Sequence, residues 1–291
     1  MRFLLCFLLS LTALRANSSV WKISRGGNTL YLGGTIHLVR ASDLPLPAEF
    51  DTGFAASSQL FFETDLGKLQ SPEMQQVVLT RGMFTDGTTL DKVLDPDAWK
   101  MASAYAEKAG LPLDALKALK PWLFVVMLAQ IELQKLGVSD EGVDLRLYQQ
   151  ARDAGKKTGE LEAFEQHINY LVNLGAGHES EMIKSGIDDL KEMPATINQL
   201  LAAWKAGDLA TIDKYMVEDM RTNYPAIYQE LLVSRNALWL PKIEAMLKTP
   251  DVEFVLVGVG HLAGKEGLVA QLKAKGYTVE QVKAAPAPAK K

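Results

Sequence analysis

One pattern occurs twice in this chain, near its start and near its end, and it limits the folds available. Thr29-Leu30-Tyr31-Leu32 runs into Gly33-Gly34-Thr35-Ile36-His37, and Val252-Glu253-Phe254-Val255-Leu256-Val257 runs into Gly258-Val259-Gly260-His261. Each is an apolar run that stops on glycine and delivers a histidine three residues after a glycine. A short, nearly continuous apolar run reads as a strand buried on both faces, the type found in parallel sheets covered by helices. In such sheets ligands bind beyond the carboxyl ends of the strands, where both histidines would stand. They meet only if the opening and closing parts of the chain share one sheet.

The sequence around these runs gives an α/β class: a central β-sheet built from N- and C-terminal parts, with a large helical insertion between them. Val20 to Ser24 and Thr29 to Leu32 flank Arg25-Gly26-Gly27-Asn28, a hairpin pattern. Pro47 opens a helical stretch through Ala56, and Leu60-Phe61-Phe62-Glu63-Thr64-Asp65 is a short strand ending on carboxylates. Roughly 71–249 reads as helical. Asp95-Pro96 starts a helix that Gly110 ends, and Pro121 starts an apolar one. Val143, Leu147 and Ala151 line one face of a third. Lys156 to Glu162 could form a short strand before a helix over 163–174, and longer helices follow near 181–206 and 225–248. Leu268 to Lys275 is a helix capped by Gly276, and Tyr277 to Val282 a closing strand. The expected domain is 17–283, followed by a disordered Ala/Pro/Lys tail over 284–291.

The first sixteen residues read as targeting. Met1-Arg2 precedes an apolar stretch from Phe3 to Leu14, shorter than the roughly 20 residues a spanning helix needs. A signal peptide over 1–16, cut after Ala16, implies export, to a periplasm or to the medium, with no stable membrane span. The only cysteine, Cys6, lies inside it, so a metal site in the remaining chain must use histidine and carboxylates. With 31 basic against 35 acidic residues there is no nucleic-acid footprint.

Adjacent strands would bring Glu63 beside His37. A set of His37, His261 and Glu63 suffices for Zn²⁺, Mn²⁺ or Fe²⁺ with positions left for water, which such an ion acidifies towards a pKa of about 7. The competing reading is two unrelated strand-end histidines making ordinary hydrogen bonds. Asp65 reads as a helix N-cap. Glu162 and Gln166 are four apart and would share a helix face, though a first-turn carboxylate explains Glu162 equally well. Arg235-Asn236 interrupts an apolar helix. Arg235 there could hold a carboxylate bidentately, the substrate's or that of Glu162. Asp144 could be a cap, and His167 and His178, among polar neighbours, are expected at the surface.

These residues resemble the TraB/GumN family, the group that also contains the PrgY pheromone-shutdown proteins and the Tiki membrane proteases. The likeness is carried by Tyr31 to Leu38, Phe61 to Leu66, Gly142-Val143-Asp144, Gly155-Lys156, Leu161-Glu162 and Gln166. It continues through Arg235-Asn236, Val257 to Leu262, Gly264, Gly267-Leu268 and Gly276-Tyr277. The resemblance implies an α/β fold related to erythromycin esterase and the ChaN haem-binding proteins. For Tiki-type members it implies a metal-dependent peptidase favouring Mn²⁺ or Co²⁺, carried here by His37, His261 and Glu63, with Arg235 and Glu162 at further recurrent positions. Ser234 stands where many relatives are expected to have an acidic residue, so a charged pair at Arg235 is in question.

The resulting expectation is an exported metal-dependent hydrolase, a peptidase by resemblance. His37, Glu63 and His261 hold a divalent ion (Mn, Co or Zn) whose bound water attacks a carbonyl, and Arg235 or Glu162 orients a peptide or small-molecule substrate. Two other classes compete. One is a metal-free, esterase-like hydrolase with a histidine general base. The other is a non-catalytic exported binding protein for a peptide or haem-like ligand.

Overall fold

The computed structural model describes residues 17–37, 39–139 and 141–283. The signal-peptide and tail readings lie outside these residues. Among the described residues eight strands occur in chain order: β1 (Asn17–Arg25), β2 (Asn28–Thr35), β3 (Val39–Arg40), β4 (Gln59–Phe62), β5 (Val138–Ser139), β6 (Lys157–Glu160), β7 (Glu253–Gly258) and β8 (Thr278–Lys283). Six form one sheet in the order β6-β4-β7-β2-β1-β8, while β3 and β5 pair separately. The opening and closing parts of the chain do share this sheet. β7 lies between β2 and β4, parallel to both, with Thr35 opposite Gly258 and Phe62 opposite Leu256. β6 continues the parallel set beside β4, and β1 and β8 close the other edge antiparallel.

The hairpin forms as read, with Arg25 paired to Asn28 across Gly26-Gly27. β7 is buried along its length except at Gly258. Its alternate residues feed two cores. Phe254 and Leu256 pack with Phe50, Leu60, Phe62, Leu147 and Trp204 on one face. Val255 and Val257 pack with Ile23, Leu32, Trp239, Ile243 and Leu268 on the other. Helices cover both faces, which is why the strand reads as apolar without a break. Each fully buried side chain of this kind contributes about 1.5–3 kcal/mol.

The helices used below are α1 (Ala48–Ala56), α2 (Pro96–Lys108), α3 (Pro121–Lys135), α4 (Val143–Asp153), α5 (Phe164–Val172), α6 (Glu179–Ala206), α7 (Arg235–Met246) and α8 (Leu268–Ala274). α1 and α4 lie on the Phe254 face, and α7 and α8 on the Val255 face. The insertion has a third core of its own. There Ala98, Ala102 and Ala106 of α2 form a buried stripe against Phe124 and Leu128 of α3 and Ile183, Ile187 and Leu190 of α6. Spacing of four along α2 puts these small residues on one face, so α6 can approach closely. The turn Gln229–Ser234, wound more widely than an α-helix, leads into α7. Among the described residues no helix is long and apolar enough to cross a membrane.

Candidate metal centre

The four parallel strands end at the same edge of the sheet, and each delivers a chemical group within three residues of its end. His37 follows β2, Glu63 follows β4, Glu162 follows β6, and His261 follows β7 on a single tight helical turn, Val259–Leu262. Glu162 and Glu63 are also tied through their backbones, Glu162 N donating to Glu63 O at 2.9 Å. Arg235, at the start of α7, reaches into the middle of the cluster. Sequence spacing had put Glu162 on a helix with Gln166. It instead precedes α5, while Gln166 donates to Tyr170 Oη at 3.0 Å.

Arg235 is buried, with 7% of its surface exposed, and its donors are largely consumed. Nε and Nη2 donate to the two oxygens of Glu162 at 3.1 and 2.7 Å, a forked pair. Nη2 also donates to Glu63 Oε2 at 2.6 Å, and Nη1 faces His261 Nε2 at 3.2 Å. Four of the five guanidinium N–H directions therefore have partners. The acidic neighbour missing at Ser234 is supplied from two other strands, and Ser234 Oγ accepts a hydrogen bond from Gln229. Trp239 Nε1 donates to Glu162 Oε2 at 3.1 Å, and the Trp239 ring packs under both the guanidinium and the His261 ring.

His261 has a defined tautomer. Asn236 Nδ2 donates to the carbonyls of His261 and Glu266 at 3.1 and 3.0 Å, so its Oδ1 is the atom facing His261 Nδ1 at 2.8 Å. Nδ1 thus carries the proton, and Nε2 presents a lone pair towards Arg235 and Glu63. Burial pushes the His261 pKa down to about 3, with Glu63 opposing, so the ring is neutral. This is the state a metal ligand requires.

Glu63 has two faces. Oε2 belongs to Arg235, whereas Oε1 accepts from Gly258 N at 2.7 Å and lies 3.8 Å from His261 Nε2. Burial alone would raise its pKa, but Arg235, then His261, His37 and the Gly258 amide, hold it well below the usual carboxylate range. Burial likewise raises Glu162, and hydrogen bonds from His167 and Arg235 overcome it.

His37 differs. Its Nδ1 donates to Asp144 Oδ2 at 3.2 Å, and 66% of its side chain is open to solvent. Asp144 raises its pKa above the ordinary value, against the opposing effect of burial, and water screens the pair. Asp144 lies in the first turn of α4 and caps nothing. Its place follows from Gly142, where a Cβ would strike the His37 backbone at 2.3–2.6 Å, so α4 can begin against His37 only if that residue is glycine.

Gly258 is the second glycine that matters. A Cβ there would sit 3.2 Å from Glu63 Oε1, 3.7 Å from His261 Cδ2 and 3.9 Å from His37 Nε2. The three groups face one small space that only a glycine leaves open. Their ligand atoms are not yet closed around it. Among the described residues, the set of three ligand atoms within 4.8 Å of one another is Glu63, Glu162 and His167, and both His37 and His261 are outside it.

His167 is a correction to the sequence reading. It is not a surface residue: 15% of its side chain is exposed and its Nδ1 donates to Glu162 Oε1 at 2.7 Å. Phe164, His167 and Leu171 follow the i, i+3, i+7 spacing of one helix face, the signal that its polar neighbours concealed. His178 is exposed and pairs with Glu181. Asp65 caps a short helix, accepting from Gly67 N and Lys68 N.

The donor chemistry fits a divalent ion. Two buried carboxylates face one buried guanidinium, which leaves a negative charge that is costly to bury without a further cation. The Gly258 side offers a carboxylate oxygen and a neutral imidazole lone pair. The guanidinium borders both sets: it bonds both carboxylates of the Glu63–Glu162–His167 set, whereas on the Gly258 side its Nη1 faces the His261 lone pair and leaves Glu63 Oε1 to the Gly258 amide.

The model of the TraB/PrgY/gumN family matches residues 19–281, and the chain belongs to that family. It is 23% identical over 266 residues to uncharacterized protein YbaP of Escherichia coli (strain K12), covering 90% of this chain and 96% of that protein. It is 25% identical over 322 residues to metalloprotease TIKI1 of Danio rerio and 26% over 326 residues to metalloprotease TIKI2 of Xenopus tropicalis. Each alignment takes in 92% of this chain, against 64% of the first and 60% of the second, so the chain spans under two thirds of these metalloproteases. No solved structure matches the chain.

Proposed function

We propose that the protein is a metal-dependent hydrolase acting on peptides, with Glu63, His261 and His37 as the residues that hold a divalent ion. The observation that carries this reading is the convergence of all three on the space beside Gly258. The likeness to proteins named metalloproteases supports the reaction class. When bound, such an ion would supply Lewis acidity and lower the pKa of a water towards about 7.

The chain's own residues divide the remaining work. Asn236 holds His261 in the tautomer whose Nε2 lone pair faces the site. Arg235 fixes Glu63 and Glu162 and neutralises part of their charge; with its donors engaged it positions the cluster rather than gripping a substrate. Glu162 in turn fixes Arg235 and His167. His37, at the open side and backed by Asp144, can hold a proton at Nδ1 while presenting Nε2 to the site. Export of the chain is part of the proposal and rests on the Met1–Ala16 pattern.

A second reading places the ion in the Glu63–Glu162–His167 set, favoured by its tighter spacing. The guanidinium between its carboxylates opposes it. Peptide cleavage by purified protein, followed by mass spectrometry, tests the central reading: exhaustive chelation should abolish it and Mn²⁺ or Co²⁺ should restore it. Full cleavage after chelation would replace this reading with the metal-free hydrolase.

A further inference from the structure

A groove of about 450 Å³ runs along the insertion. Its walls are apolar, with Leu133 of α3, Met182 of α6, and Met216, Met220 and Leu231 from the segments before α7. None of the candidate ligands lines it, but two of its residues lead towards them. Leu133 also lines the adjoining cleft of about 380 Å³ that contains His37. At the other end Met216 approaches the turn that carries His261, its Sδ lying 3.6 Å from where a Cβ on Gly260 would be.

Two features mark this surface as unpartnered. Val126, Tyr215 and Met216, each 40–46% exposed, line this groove and its adjoining cleft. Asp189, Glu192 and Asp219 also line the groove, and among the described residues none of the three has a salt-bridge partner. Lys191, the nearest basic residue in sequence, is engaged by Asp188 instead. Although Asp189 is exposed to solvent, its carboxyl is pushed up to about 6, by burial against the wall and then by Asp219, Glu192 and Asp188. Uncompensated like charges beside an apolar trough are complementary to a cation on an apolar ligand.

We propose that this groove seats the substrate of the hydrolase reading, on which the proposal rests, and that the substrate is a peptide carrying lysine or arginine flanked by apolar residues. Asp189 and Asp219 receive the cation and the methionine-rich walls receive the apolar neighbours, whose varied shapes flexible thioether side chains can fit. The segment then leads past Leu133 to His37 and past Met216 to His261.

The test uses the full chain and fluorescein-labelled decapeptides of leucine, alanine and serine with a central lysine or a central glutamate. Binding is read by anisotropy and cleavage by mass spectrometry. The lysine peptide should bind about tenfold more tightly. Asp189→Asn should bring the two peptides together, and Asp189→Lys should reverse their order. Equal affinities in the wild type, or an order unmoved by Asp189→Lys, would overturn the groove assignment. Cleavage of both peptides without charge preference would overturn it while leaving the hydrolase reading standing. Charge-ordered binding without cleavage in Mn²⁺ would support the groove and sink the hydrolase reading. Concentration-dependent self-association abolished by Asp189→Lys would assign the groove to a second copy and overturn the proposal.

Discussion

His37 and His261 occupy the same place in two equivalent motifs, three residues after a glycine that lies at or near the end of a buried parallel strand, yet the protein treats them in opposite ways. His261 is sealed under Trp239, its tautomer set by a neutral amide, and burial keeps it uncharged. His37 stands open to water, backed by a carboxylate that favours its charged form. The difference comes from the second element each strand end meets. β7 leads into a turn packed against α7, whereas the residues after β2 meet the start of α4 at Gly142. The pair teaches that a repeated motif fixes where a side chain begins, while its chemistry is set by residues far away in the chain. One histidine is built as a buried wall of the site and the other as its solvent-facing side.

The largest effect expected belongs to the buried side. Arg235→Ala would leave Glu63 and Glu162 buried without their cation, and should cost about 3–5 kcal/mol in urea unfolding. A loss below about 1 kcal/mol would mean that the cluster is solvated and that the contrast with His37 is false.

A smaller effect separates the histidines directly. His261→Ala should destabilise by about 2 kcal/mol, and His37→Ala by less than about 0.5 kcal/mol. Their pH behaviour has opposite signs. With its pKa depressed to about 3, His261 costs stability as pH falls below its unfolded value near 6.5. With its pKa raised, His37 contributes below 6.5 and loses that contribution as pH rises through its folded value. Imidazole NMR of metal-free protein between about pH 4 and 9 should show His37 titrating above 6.5 and His261 not titrating. Coincident midpoints near 6.5 would remove the distinction.

Much of the fold was legible because its signals are local. The Gly26-Gly27 turn, the apolar run of β7, Asp95-Pro96 before α2 and the Val143, Leu147, Ala151 stripe each act within a few residues. That Glu63, His37 and His261 all follow parallel strands ending at one edge of the sheet was also legible, since the α/β pattern aligns those strands. What was not legible depends on contacts across long separations. Nothing near Asp144 points to His37, and only the close approach at Gly142 joins them. Asn236 sets the tautomer of a ring on another element. His167 lies among Glu165 and Gln166, polar neighbours that hide its place on the inner face of the helix.

Metal content of the purified chain and three variants tests the central claim most directly. Mn²⁺-loaded wild type and His167→Ala should each retain about one ion per chain after gel filtration, while Glu63→Gln and His261→Ala retain none. Retention by His261→Ala together with loss in His167→Ala would place the ion between Glu63 and Glu162, and contradict a centre built beside Gly258.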